Sequence, residues 1–130
     1  MNCASRASVS EVTVVPANLF AHIPPHLPDE LLETLCQEEH LRIERIVSRG
    51  HASPADFWYD QKQHEFVLLV SGRARVTFAD GNRSVELAPG DWLDIKAHVR
   101  HRVEWTDPAQ DTIWQAFYQK KGKKLQLKEH

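Results

Sequence analysis

Cysteine is scarce: the 130 residues hold only Cys3 and Cys36. Two cysteines cannot build the disulfide framework that staples many small secreted folds, so a reducing cytoplasm is the expected compartment. Long apolar runs are missing as well. None approaches the roughly 20 residues of a membrane-spanning helix, and the opening MNCASRASVSEVTVV lacks the apolar core of a signal peptide. Nor does charge of one sign dominate, since 16 Lys plus Arg face 18 Asp plus Glu for a formal net charge of −2. That balance gives no reason to expect nucleic acid or an anionic membrane as the main partner.

What is present is the composition of an ordinary soluble globule, 42% hydrophobic and 26% charged. The length suits one domain able to bury most of its apolar surface. Residues 1–10 read as a flexible tail, residues 11–119 as the folded domain, and residues 120–130 as a basic flexible tail. That last stretch carries Lys120, Lys121, Lys123, Lys124 and Lys128 without interleaved aromatics. It reads as a solubilising terminus, with nucleic-acid association as the weaker alternative.

Near the N-terminus, Val12 to Val15 has the look of an edge strand, and Pro24, Pro25 and Pro28 then forbid regular structure. Pro28-Asp29-Glu30 resembles a helix start, with acids at the positive end of the dipole. Leu31, Leu32, Leu35 and Cys36 follow at helical spacing, so one short helix is expected over about 28–37. From Leu41 onward the period changes to two. Leu41 to Val47, Ala74 to Phe78, Val85 to Leu87, Trp92 to Ile95, His101 to Trp105 and Thr112 to Tyr118 all read as strands, separated by turns such as Asp80-Gly81-Asn82 and Pro89-Gly90-Asp91. Many short strands with turns every eight to twelve residues indicate an all-β barrel or sandwich.

Two stretches carry the chemistry. Trp58 to Gly72, WYDQKQHEFVLLVSG, reads as a hairpin around the polar loop Gln61 to His64, with Asp60 and Glu65 at its mouths. Carboxylates against such apolar neighbours need a partner or a metal. The second stretch, Gly90 to Thr106, is GDWLDIKAHVRHRVEWT. Its alternation places His101 on one face with Val103 and Trp105, the expected inner face.

Together these stretches resemble the two halves of the cupin signature. In that family, two histidines one residue apart are followed by a glutamate after three or four residues, then by six residues and a glycine. Glu65 and Gly72 keep the latter spacing, and Gly90 leads through Lys96-Ala97-His98, in place of a Pro-x-Gly turn, to His101. The segments SPADFWYDQ, HRVEWTDP and TIWQAFY further resemble a subgroup of small single-domain cupins. The resemblance implies an all-β double-stranded β-helix, or jelly-roll barrel, here with one short N-terminal helix.

Counted with four residues before Glu65, the family's histidine pair falls on Trp58 and Asp60. The transferable ligand set is then Asp60, Glu65 and His101, with His64 and His98 as substitutes. Two carboxylates and one imidazole suit a divalent manganese, iron or zinc ion. Trp58, Trp105, Val67 and Val103 are expected to line the pocket. The resemblance implies a metal-dependent enzyme of oxygenase, isomerase or decarboxylase type acting on a small molecule. The alternative is a non-catalytic binding or sensing barrel with a degenerate metal site. The strand Phe66 to Val70 is apolar on both faces, so a second layer is expected, either the N-terminal helix or a partner subunit, and the resemblance favours a homodimer.

Overall fold

The computed structural model describes residues 15–120 and contains eight strands. They are β1 (Leu31–Gln37), β2 (Leu41–Ser48), β3 (Gln63–Ser71), β4 (Ala74–Phe78), β5 (Arg83–Leu87), β6 (Trp92–Ile95), β7 (His101–Thr106) and β8 (Thr112–Lys120). A single 3-10 turn at Asp80–Asn82 joins β4 to β5, with Gly81 and Asn82 both at positive φ. The tail expected at 1–10, the tail expected at 120–130 apart from Lys120, which ends β8, and most of the strand expected at Val12 to Val15 lie outside the described residues.

Two antiparallel sheets face each other as a jelly-roll barrel. One has the order β1-β2-β8-β3-β6 and the other β5-β4-β7. Strict alternation in β3 sends Glu65, Val67 and Leu69 inward and leaves Phe66, Leu68 and Val70 on the outer face. The core joins Val67, Leu69, Trp114, Ala116 and Tyr118 of the larger sheet to Ala74, Val76 and Leu87 of the smaller. Leu69 is completely buried, and a side chain of that kind contributes about 1.5–3 kcal/mol. On the outer face, Phe66 stacks on Trp92 at 4.9 Å between ring centroids and meets Phe117 edge-on at 5.9 Å. These aromatics are part of the second apolar face of β3.

The helix expected over 28–37 is a strand instead. Residues 31–37 form β1, an edge strand paired antiparallel with β2 from Leu31↔Val47 to Gln37↔Arg42. The pairing passes from Thr34↔Glu44 to Cys36↔Ile43, leaving Leu35 as a bulge. The bulge resets the inward–outward alternation, so the leucines and Cys36 do not recur at period two and imitate a helical stripe. Sheet pairing supplies what a seven-residue helix could not.

The hairpin expected around Gln61 to His64 is also absent. The segment before β3 crosses to β7: Tyr59 N–H donates to the His101 carbonyl at 2.8 Å, and His101 N–H donates back at 3.1 Å. Ser53 joins the same edge, its N–H donating to the Val103 carbonyl at 2.9 Å. This crossing brings Tyr59 and Gln61 against the end of β7.

Gly72 turns the chain from β3 to β4 at φ +92, where an added Cβ would lie 2.5 Å from Thr112 Cα. Only glycine fits so close an approach in that conformation. Gly90 closes the turn before β6 at φ +97, with Asp91 N–H bonded to the Ala88 carbonyl at 2.9 Å.

Candidate functional site

Between the sheets lies a cavity of about 350 Å³, large enough for one small organic molecule. Apolar walls come from Ile46, Val67, Val76, Ile95, Val103 and Trp114. Its polar end is built around Glu65, which β3 points inward and which is only 7% exposed.

Three side chains converge on that carboxylate. His101 Nε2 lies 3.3 Å from Oε1, Gln61 Nε2 donates to Oε1 at 3.0 Å, and the Tyr118 hydroxyl donates to Oε2 at 3.4 Å. The other ring nitrogen of His101, Nδ1, lies 2.9 Å from the Val99 carbonyl and must carry a proton to bond it. With Nε2 facing an acceptor, the geometry favours the doubly protonated ring beside an ionised Glu65. Burial by itself pulls the His101 pKa down. The hydrogen bond with Glu65, the Val99 carbonyl and the Glu65 charge outweigh it, and the net shift is upward.

The tyrosines keep their protons. Burial, then the charges of Glu65 and Glu44, push the Tyr118 phenol well above its usual range. Tyr59 is raised by partial burial and by the charges of Glu30 and Glu65. Its ring stacks on His101 with centroids 5.7 Å apart.

The candidate residues read from sequence divide into two groups. Glu65 and His101 come together, and Val67 and Val103 line the cavity. Asp60 does not join them: its Oδ1 lies 2.8 Å from His98 Nδ1 on the exposed loop surface. His64 Nδ1 accepts the Ala97 N–H at 2.9 Å and so fastens the β6–β7 loop to β3. His98 occupies the turn at φ 66, taking a positive-φ position where the family's Pro-x-Gly turn has glycine. Among the described residues, no group of three or more His, Cys, Asp or Glu side chains is placed to hold a metal ion.

Trp58 and Trp105 do not line the cavity. Trp58 lies under the Arg102 guanidinium at 5.3 Å, and Trp105 under that of Arg75 at 5.6 Å. For Trp105 the cause is a second bulge. The β4–β7 pairing passes from Arg75↔Trp105 to Val76↔Val103, so Glu104 is the extra residue and Trp105 turns to the outer face with Arg75.

The residue set expected from sequence leaves out Tyr59, Gln61, Trp114 and Tyr118. The signal for the first two lay in the spacing. With three residues rather than four before Glu65, the histidine pair of the resembled signature falls on Tyr59 and Gln61, the two residues that line the cavity beside Glu65 and His101.

A jelly roll with a small cavity between its sheets and a polar cluster at one end defines the class: a small-molecule-sized β-barrel. Comparison with known structures places it further. A protein of Ralstonia eutropha JMP134, provisionally named a mannose-6-phosphate isomerase, is similar at 44% identity and a TM-score of 0.78, over 82% of this chain and 98% of that one. An RmlC-like cupin of Methanocaldococcus jannaschii with a double-stranded β-helix fold has a TM-score of 0.59 at 16% identity, over 76% and 87%. A polyketide cyclase of Streptomyces resistomycificus has 0.61 at 14%, over 71% and 66%. No protein-family model and no curated protein matches the sequence. The chain belongs to the cupin superfamily.

Proposed function

We propose that the barrel cavity binds one small organic molecule, and that the Glu65–His101 pair at its polar end supports proton transfer rather than metal chemistry. One observation carries this reading: the Glu65 carboxylate is surrounded by hydrogen-bond donors from Gln61, His101 and Tyr118. A divalent manganese, iron or zinc ion needs lone pairs converging on one point. Here the donor protons converge on the carboxylate instead. Counted with three residues before Glu65, the family's histidine pair falls on Tyr59, a phenol whose pKa is raised, and Gln61, a neutral amide. These residues do not fit the resident metal that the family resemblance implies.

An imidazolium and a carboxylate that share a proton at the end of an apolar cavity are suited to general acid–base work on a bound ligand. A barrel that only holds its ligand would use the same pair for orientation.

The test is metal analysis of protein purified without an affinity tag, followed by melting with and without chelator. Substoichiometric manganese, iron and zinc, with no change in melting temperature, is the expected result. Near-stoichiometric metal that disappears in His101→Ala would overturn the metal-free reading.

A further inference from the structure

We infer that the molecule this cavity takes is a small organic cation, an amine or quaternary ammonium, and not a phosphorylated sugar. This rests on the reading of the cavity as a binding site, and it follows from the charges that line it.

Five ionisable carboxyl and imidazole side chains line the cavity: Asp29, Glu30, His51, Glu65 and His101. Glu65 and His101 face each other and cancel. Both ring nitrogens of His51 are already engaged, Nδ1 accepting the Arg49 N–H at 2.9 Å and Nε2 lying 3.0 Å from the Pro28 carbonyl. Asp29 and Glu30 remain. The Ser48 hydroxyl, on a residue with no exposed surface, donates to Glu30 Oε2 at 2.8 Å and fixes that carboxylate at the wall. No lysine or arginine is among the described lining residues. The excess charge among the lining side chains is therefore negative.

Three aromatic rings, Tyr59, Trp114 and Tyr118, line the same cavity. Tyr118 lies under the Arg42 guanidinium at 4.4 Å and Tyr59 stacks on His101. Aromatic faces attract cations, and the attraction grows where water is excluded. A phosphate ester would need cationic forks or a helix N-terminus to replace its water. Among the described residues this wall has neither, and Asp29 and Glu30 would repel it. A cation gains from each of these features.

The experiment is a protein-observed NMR screen of the full chain. The fragment set presents each carbon skeleton as primary amine, alcohol and carboxylate, and mannose 6-phosphate is included. Val103→Phe serves as the narrowed cavity, and shifts of the Trp114 indole signal in the wild type locate binding even where that variant does not fold. Amines should dominate the fragments that shift Trp114. Asp29→Asn/Glu30→Gln should weaken them roughly tenfold while moving the matched alcohols less than about twofold, in line with loss of neighbouring opposite charge. Alcohols or carboxylates binding as well as amines would overturn the inference and leave the binding site standing. So would mannose 6-phosphate shifting Trp114. If no fragment of any class shifts Trp114, the binding-site reading itself falls, and the inference with it.

Discussion

His101 Nε2 lies 3.3 Å from Glu65 Oε1, with 8% and 9% of the two side chains exposed, at the polar end of the cavity. Such a pair costs desolvation on both sides and regains it only through close geometry and further hydrogen bonds. Here Gln61, Tyr118 and the Val99 carbonyl supply those bonds. The pair adds little net stability, yet neither member can be removed cheaply.

A double-mutant cycle expresses this. His101→Leu strands the buried carboxylate and should cost about 3 kcal/mol in urea unfolding. Glu65→Leu/His101→Leu should recover most of that loss, since no charge is left buried. Additive losses would mean that the two residues do not act as a pair.

The pH dependence has a defined sign. The folded-state pKa of His101 is raised above its ordinary 6.5. Its contribution to stability is therefore complete below 6.5 and is lost as pH rises through the higher folded value. The melting-temperature gap between wild type and His101→Gln should narrow as pH climbs from about 5 to about 9. A gap that widens with pH would show the ring to be neutral in the fold.

Most of the barrel was legible because period-two alternation survives wherever a strand has one inner face. Trp92 to Ile95 and Ala74 to Phe78 are strands over the bounds that the pattern suggested. Where a bulge inserts one residue, the alternation slips and the reading fails with it. Leu35 disguised β1 as a helix, and Glu104 sent Trp105 to the wrong face. The site was half legible for a different reason. Glu65 and His101 sit on strands whose phase could be read, whereas Tyr59 and Gln61 enter on a crossing segment placed by its bonds to β7. No local pattern distinguishes a segment that pairs forward with β3 from one that pairs across to a distant strand.

Gly72 should be intolerant of substitution. Gly72→Ala places a methyl group against the Thr112 side chain and 2.5 Å from its Cα, at a φ of +92. Both the clash and the left-handed conformation act against it, for a combined cost of about 3 kcal/mol or more. Thermal melting should show a fall of roughly 10 °C or more. A shift under about 2 °C would mean that the β3–β4 corner relaxes freely.

Arg45 ties the segment before β1 to the larger sheet. It is 4% exposed, pairs with Glu33, and donates through Nη1 to the carbonyls of Leu19 at 2.8 Å and Ala21 at 2.7 Å. Arg45→Met keeps the apolar stem and removes all three partners. Limited proteolysis should then cut between Pro16 and Pro25 at least several-fold faster, while the barrel core resists as before. Unchanged cleavage would show that the segment is held by other contacts.

The final prediction separates the two ways of counting back from Glu65. Four intervening residues assign the site to Trp58 and Asp60; three assign it to Tyr59 and Gln61. Gln61→Leu removes a donor to a buried carboxylate, an interaction of about 1.5–3 kcal/mol and so about tenfold or more in affinity if the bound ligand depends on the carboxylate's orientation. Tyr59→Leu removes the ring stacked on His101, with an expected loss of similar size. Asp60→Asn disturbs only the exposed contact with His98, and Trp58→Phe only a ring beneath Arg102. Neither should change affinity by more than about twofold, since exposed pairs contribute little. Titrating the four variants with the tightest amine from the fragment screen, with melting temperatures as a control for folding, decides between the counts. Weakened binding in Asp60→Asn and Trp58→Phe, with Gln61→Leu and Tyr59→Leu unaffected, would restore the four-residue count and move the site to the exposed loop.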